Sequence, residues 1–192
     1  MEHAIAIIIG ICLAASCGFR VFVPLLVVGV AVKSGYVEPA EGFAWLSSWP
    51  ALVAFAMATI AEIGAYYVPW LDNALDAIAS PMAVVAGTLL MAASVADLDP
   101  LLQWSLAIIA GGGAAATVQG GTVAARVAST GGTGGLGNFV VATLENFAGI
   151  IFSVLSIVLP IAALALLVVV VVAMYYMGRT VLRRFWKPRP AA

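Results

Sequence analysis

The chain has 192 residues, of which 64% are hydrophobic and only 9% are charged, whereas an ordinary soluble domain has about 25% charged residues. The mean hydropathy is +1.14. A soluble domain of this size needs a largely polar exterior, which this composition cannot supply. The composition therefore excludes a soluble globular protein, a disordered chain and a disulfide scaffold. It predicts an all-α, polytopic membrane helix bundle.

Apolar runs between charged positions predict six spans, in chain order 4–32, 50–68, 81–96, 101–128 and the two halves of 139–177. The first is long enough to cross the bilayer with a tilt or with a kink at Pro24, and Pro160 divides the last run into two spans. The connector 69–80 is expected at the membrane surface, with Asp72 and Asp76 solvated there. The neighbouring pair Tyr66–Tyr67 fits an interfacial aromatic belt.

The net charge is −1, but the basic residues are unevenly placed. A basic cluster just after an apolar span predicts a cytoplasmic tail, 179–192, in contact with anionic membrane lipid. Six spans then place the N-terminus on the same side. No basic stripe with interleaved aromatics occurs elsewhere, so nucleic-acid binding is not expected. The cluster has five of the eight basic residues: Arg179, Arg183, Arg184, Lys187 and Arg189.

An internal repeat emerges when the sequence is shifted by 106 residues. The shift overlays Gly10, Ala14, Gly18 and Arg20 on Ala116, Gly120, Ala124 and Arg126. Each set is a stripe of small residues that ends two positions before an arginine, and such stripes let helices approach closely in lipid. Each half continues with one acid, Glu62 or Glu145, and one proline, Pro81 or Pro160. We therefore predict two three-span repeats, 1–96 and 97–178, which an odd span count would insert in opposite orientations.

Four charged residues fall inside predicted spans, where each costs about 2.5 to 3.5 kcal/mol on insertion scales. They need partners or water. Pairing Arg20 with Glu62 and Arg126 with Glu145 is compatible with the sequence, and pairing across the halves is equally so. The charges form either dry structural ion pairs or the lining of a polar cavity. Gln119 and Asn138 are candidates for further hydrogen bonds in such a cavity.

The segment 129–138 is rich in glycine: Gly131, Gly132, Gly134 and Gly135 lie between Arg126 and the fifth span. Under the same shift it overlays part of the first span, which predicts a broken helix at membrane depth. Such backbone is tolerated there only when it is buried in protein or lines a wet cavity. Its amides would then bind an anionic group. A flexible surface loop is the alternative.

Several stretches resemble the bacterial membrane family catalogued as domain of unknown function 4126. They are CGFRVFVPLL at 17–26, EIGAYYVPWLDN at 62–73, PMAVVAGT at 81–88 and the run 120–138. The resemblance covers nearly the whole chain. It implies a multi-pass protein of the bacterial inner membrane and brings no established activity.

The favoured hypothesis is a small inverted-repeat transporter or channel for an anionic or proton-coupled solute. The alternative is a structural or accessory protein that binds lipid or a membrane complex, with dry ion pairs. An intramembrane lipid enzyme is disfavoured, because a single histidine, His3, leaves no histidine-based nucleophile set or metal site. We therefore expect no enzymatic activity, cofactor or metal. A homodimer fits the stripes of small residues.

Overall fold

A computed structural model describes residues 2–68, 71–96 and 98–185, without the side chains of Glu2, Asp72, Asn73 and 181–185. Within these ranges the chain is helical and contains no strand, which confirms the all-α prediction. The elements in chain order are α1 (Glu2–Cys17), α2 (Phe22–Lys33), a 3₁₀ turn (Ala44–Ser47), α3 (Trp49–Ala65), α4 (Leu71–Ser94), α5 (Pro100–Leu106), a π-helical segment (Ala107–Gly112), α6 (Gly113–Thr133), α7 (Asn138–Val158) and α8 (Pro160–Phe185).

Four helical stretches in the described part of the chain are long and apolar enough to cross a membrane. They are Ala74–Ser94, Pro100–Thr133, Asn138–Val158 and Pro160–Thr180. The three helices before them are apolar but shorter, at 10–17 residues each. The chain is therefore a membrane-type helix bundle, and the six predicted crossings are not confirmed.

The first predicted span is a helical hairpin and not one kinked crossing. In α1, Gly10 lies against Ser94 at the end of α4. After α2 the chain returns to the same place, where the amide of Ala40 donates to the carbonyl of Ala93 at 2.8 Å. The hairpin therefore begins and ends at one end of the bundle, and its tip, 18–21, lies inside the protein.

The tip is built by close packing on α6. A Cβ added to Gly18 would lie 2.6 Å from the Val118 Cβ and 2.7 Å from the Ala115 carbonyl oxygen, so only glycine fits there. Pro24 is not the breaking point. It lies in the first turn of α2, where its missing amide leaves no helical hydrogen bond unmade.

The prediction of a surface connector at 69–80 is wrong from Leu71 onwards. Residues 71–80 form the first part of α4, and Pro81 lies inside this helix. As a result Asp76 is buried and not solvated, with 8% of its surface exposed. The side chain of Asp72 lies outside the described residues.

The glycine-rich segment forms the end of α6 and a turn at the surface. The prediction of a broken helix at membrane depth is therefore wrong. α6 continues through Gly131 and Gly132 to Thr133. Gly134 and Gly135 then take positive φ angles of 63° and 94°, a conformation that side chains with a Cβ disfavour. The turn leads directly into α7.

The last predicted break is confirmed, since Leu159 alone separates α7 from α8. α1 runs antiparallel to α7, with Arg20 beside Glu145 and Ser16 beside Ser153. After the turn at Leu159, α8 runs parallel to α6 and packs against it, so that Gly121 faces Met174. α1 and α8 therefore run in the same direction, and the start of α1 and the end of α8 lie at opposite ends of the bundle. The expectation that both lie on one side is not met.

Candidate functional site

Five buried charged residues converge toward the end of the bundle where α6 ends and α7 begins, which we call the upper end. Glu145 lies seven residues after the start of α7, about 10 Å along the helix axis. We call the five residues the charge cluster. They are Arg20 in the hairpin tip (1% exposed), Glu62 in α3 (6%), Asp76 in α4 (8%), Arg126 in α6 (2%) and Glu145 in α7 (4%).

One oxygen of Glu145 receives both arginines. Nη1 of Arg20 donates to Oε2 of Glu145 at 3.0 Å, and Nη2 of Arg126 donates to the same oxygen. The second carboxylate oxygen, Oε1, is buried and has no hydrogen-bond partner among the described residues. Nε of Arg126 is likewise buried and has no hydrogen-bond partner among the described residues. A single carboxylate thus connects the hairpin tip to α6, and two polar atoms at this junction have no partner in the part of the chain that the structure describes.

A second carboxylate, Asp76, holds the other side of Arg126. Nη1 of Arg126 donates to Oδ1 of Asp76, and the hydroxyl of Tyr66 donates to the same oxygen at 3.1 Å. The guanidinium carbons of Arg20 and Arg126 lie 4.2 and 3.9 Å from the centre of the Tyr66 ring. These are cation–π distances. Tyr66 is therefore part of the cluster and not of an interfacial belt.

Glu62 binds backbone and does not form the predicted pair with Arg20. Its two carboxylate oxygens accept the amides of Val21 and Phe22 at 2.8 and 3.1 Å. These amides begin α2, where helical N–H groups lack internal partners and the helix dipole favours a negative charge. The predicted pair of Arg126 with Glu145 is confirmed, and Arg20 forms its ion pair across the halves with the same Glu145.

The cluster has more acids than bases. With all five groups ionised, three carboxylates face two guanidiniums, for a sum of −1. The helix N-terminus at Glu62 offsets part of this excess. Because a buried net charge is costly, this excess favours binding of a proton or a cation at Glu145, whose Oε1 has no hydrogen-bond partner among the described residues.

A chain of hydrogen bonds leads from Arg20 to the surface. Nε of Arg20 donates to Oδ1 of Asn146, and Nδ2 of Asn146 donates to the Tyr67 hydroxyl at 3.3 Å. The Tyr67 hydroxyl lies 2.8 Å from Oγ1 of Thr143. Its ring stacks on that of Phe139, with 6.2 Å between the ring centres. The sequence reading assigned Tyr67 to an interfacial belt and did not single out Asn146.

The remaining predicted site residues lie away from the ion pairs. Gln119 is buried beside Gly18, and its Nε2 has no partner among the described residues. Asn138 is buried at the start of α7, where its Nδ2 donates to Oγ1 of Thr130 at 3.0 Å. The glycines lie at the upper end: Gly131, Gly132 and Gly134 are exposed, and Gly135 is half-buried.

An open apolar groove of about 300 Å³ lies between α2, α3 and α4. Phe22, Ile78 and Met82 form part of its walls, and Glu62 lies on its inner side. Among the described residues, no group of three or more His, Cys, Asp or Glu side chains is placed to hold a metal ion.

A family model described as Domain of unknown function (DUF4126) matches residues 7–180. No curated protein and no solved structure matches the chain.

Proposed function

The chain belongs to the family described as Domain of unknown function (DUF4126), and from its charge cluster we propose that it is a small membrane transporter or channel for a small anion coupled to protons. The family description brings no substrate. The proposal therefore rests on the way the two arginines share one carboxylate.

The observation that carries the proposal is the double contact at Oε2 of Glu145. An ionised Glu145 satisfies both guanidiniums and leaves no place for a second anion. A proton on Glu145 removes its charge, which leaves Arg20 without an ionised counter-ion and Arg126 with Asp76 as its ion-pair partner. Because a buried guanidinium without a counter-ion is strongly disfavoured, a small anion replaces the lost charge. Proton and anion binding are coupled in this way at one site.

The backbone of the hairpin tip supports the same function. Residues 18–21 interrupt the helix inside the bundle, and Arg20 extends from this interruption. In membrane proteins, irregular backbone at depth occurs where it is buried in protein or lines a water-filled cavity. Transporters use such discontinuous helices to form ion and substrate sites.

The location in the membrane follows from the basic tail. A cytoplasmic tail after α8 places the upper end, and with it the charge cluster, near the cytoplasmic face of the bacterial inner membrane. This orientation depends on the sequence of the tail, because no side chain from Val181 onwards is described.

The test is an anion-driven pH change in proteoliposomes that contain a pH-sensitive dye, with chloride, nitrate and inorganic phosphate as probes. We expect Arg20→Gln to lower the flux at least about tenfold, because it removes a charge-assisted hydrogen bond from the bound anion. Glu145→Gln imitates the protonated carboxyl, and we expect it to abolish the anion-driven pH change, because position 145 then no longer binds a proton. Arg179→Gln, at an exposed position on α8, is the matched control and keeps wild-type flux.

Folding is checked by thermal unfolding and gel filtration of each variant. If folded wild-type protein moves none of the three anions, or if Arg20→Gln retains full flux, the transport proposal is wrong.

A second candidate function is favoured by the apolar groove beside Glu62. In a bilayer, a groove of this composition accepts an acyl chain, as expected for a lipid-binding accessory protein with dry ion pairs. Tight co-purification of one lipid class, together with no flux in the assay above, would favour this function.

A further inference from the structure

The hydrogen bonds between Arg20 and the surface have a defined direction. Thr143 has one hydroxyl proton, which it donates to the carbonyl of Phe139 at 2.7 Å. The contact between Tyr67 and Thr143 therefore uses the Tyr67 proton, and the Tyr67 oxygen accepts from Asn146. Asn146 in turn accepts from Arg20. From Arg20 outward, every link donates toward the surface.

Exposure rises from Arg20 to Tyr67 along this chain. Arg20 is 1% exposed and Asn146 is half-buried, whereas Tyr67 and Phe139 are 37% and 39% exposed. Moving inward, a solute meets a neutral hydroxyl, then an amide N–H, then a guanidinium. This is a series of hydrogen-bond donors that ends in a positive charge, and donors of this kind bind anions.

We infer that a small anion reaches Arg20 by an access route formed by Tyr67, Phe139, Thr143 and Asn146. We call this route the Tyr67 mouth. Within it, Asn146 is the positioning residue that passes the anion to the guanidinium of Arg20. This inference rests on the proposed function. The rings of Tyr67 and Phe139 stack on each other at the outer end of this route. Rotation of Tyr67 away from Phe139 frees the Asn146 amide to donate to the arriving anion.

The test places a fixed negative charge in the mouth. In a background with Cys12→Ala and Cys17→Ala, Thr143→Cys is modified with a membrane-impermeant sulfonate thiol reagent in proteoliposomes. The control is Thr180→Cys on α8. Thr180 is an exposed threonine at the same end of the bundle, and its hydroxyl likewise donates to its own helix, to the Tyr176 carbonyl at 2.8 Å. We expect modification to lower chloride and nitrate flux about tenfold at position 143 and to leave it unchanged at position 180.

A second variant tests the role of Asn146 without any reagent. Asn146→Asp places a carboxylate of nearly the same shape against Nε of Arg20, which then has a fixed counter-ion. We expect this variant to fold and to lose flux, while Asn146→Gln retains part of it. A purely structural role for Asn146 predicts the opposite, since the added ion pair would preserve the fold and the flux together.

The outcomes distinguish a failure of the Tyr67 mouth from a failure of the proposed function. Full flux after modification at Thr143→Cys, with flux still dependent on Arg20, overturns the mouth and leaves the proposed function intact. Absence of flux in the wild type overturns both. Loss of flux at position 143 alone, together with loss in Asn146→Asp, supports the route.

Discussion

Tyr66 holds the two arginines and Asp76 in one arrangement. Its ring lies under both guanidiniums, and its hydroxyl donates to the carboxylate of Asp76. Tyr66→Phe removes only the hydrogen bond. We expect it to lower the free energy of unfolding by about 1–2 kcal/mol, since the partner is a buried charged group. Tyr66→Leu also removes the cation–π contacts and should be worse by about a further 1 kcal/mol. Thermal or denaturant unfolding in detergent measures both.

The contrast between the two Tyr66 variants is the control for that measurement. Equal losses for phenylalanine and leucine would mean that the ring faces contribute nothing beyond the hydroxyl.

At the residue scale, the sequence predicted most of the charge cluster and missed one acid. A charge inside a long apolar run stands out, which is why Arg20, Glu62, Arg126 and Glu145 were found. Asp76 was missed because the neighbouring polar residues made its segment look like a surface connector. A helical signal was present, since Asp76 shares one helix face with four apolar residues. These are Ala79, Ala83, Ala86 and Leu90, all buried in the structure.

At the element scale, the packing of the hairpin tip on α6 depends on Gly18. An added methyl group would collide with the Val118 side chain and the Ala115 carbonyl. We expect Gly18→Ala to lower the free energy of unfolding by about 1–3 kcal/mol, as overpacking does in other cores. Gly64→Ala in α3 is the control, because an added Cβ there meets nothing within 4 Å. Gly64→Ala should be neutral or slightly stabilising, and a similar loss in both variants would contradict the steric explanation.

The hairpin itself was beyond the reach of the sequence pattern. Residues 4–32 form one uninterrupted apolar run apart from Arg20, and periodicity cannot distinguish a kinked crossing from two short antiparallel helices. Contacts with residues remote in sequence determine that two short helices form. Glu62 binds the first amides of α2, and Gly18 fits against α6. Hydropathy, by contrast, was sufficient for α7 and α8, which are long apolar helices separated by the turn at Leu159.

At the scale of the whole molecule, the small-residue stripes of the two halves have different surroundings. The first stripe is covered, since Gly10 packs on α4 and Gly18 on α6. On the second stripe, Gly120 is exposed and an added Cβ would meet nothing within 4 Å. The two stripes run in the same direction, since Gly10 and Gly111 both lie against Met91 and Gly18 lies against Val118, so the predicted opposite orientation of the repeats does not hold for them. The homodimer stays a prediction, and the uncovered stripe is where a second copy would pack.

Gly120→Leu tests the dimer. The fold of one copy accommodates the larger side chain, whereas a close helix contact between copies does not. We expect the variant to unfold like the wild type but to lose cross-linked dimer in native membranes. Gly178→Leu is the control, at a glycine of α8 with equally open surroundings. An unchanged yield of cross-linked dimer in Gly120→Leu would exclude this face as the interface.

The distance along the chain between Arg20 and its counter-ion has a consequence for biosynthesis. Arg20 leaves the ribosome 125 residues before Glu145, an interval on the order of ten seconds at ordinary rates of translation. During that interval the hairpin tip has a positive charge and no α7 to receive it. The uncompensated charge therefore opposes deep insertion of the hairpin, by about 2.5 to 3.5 kcal/mol on insertion scales, until the second half of the chain arrives.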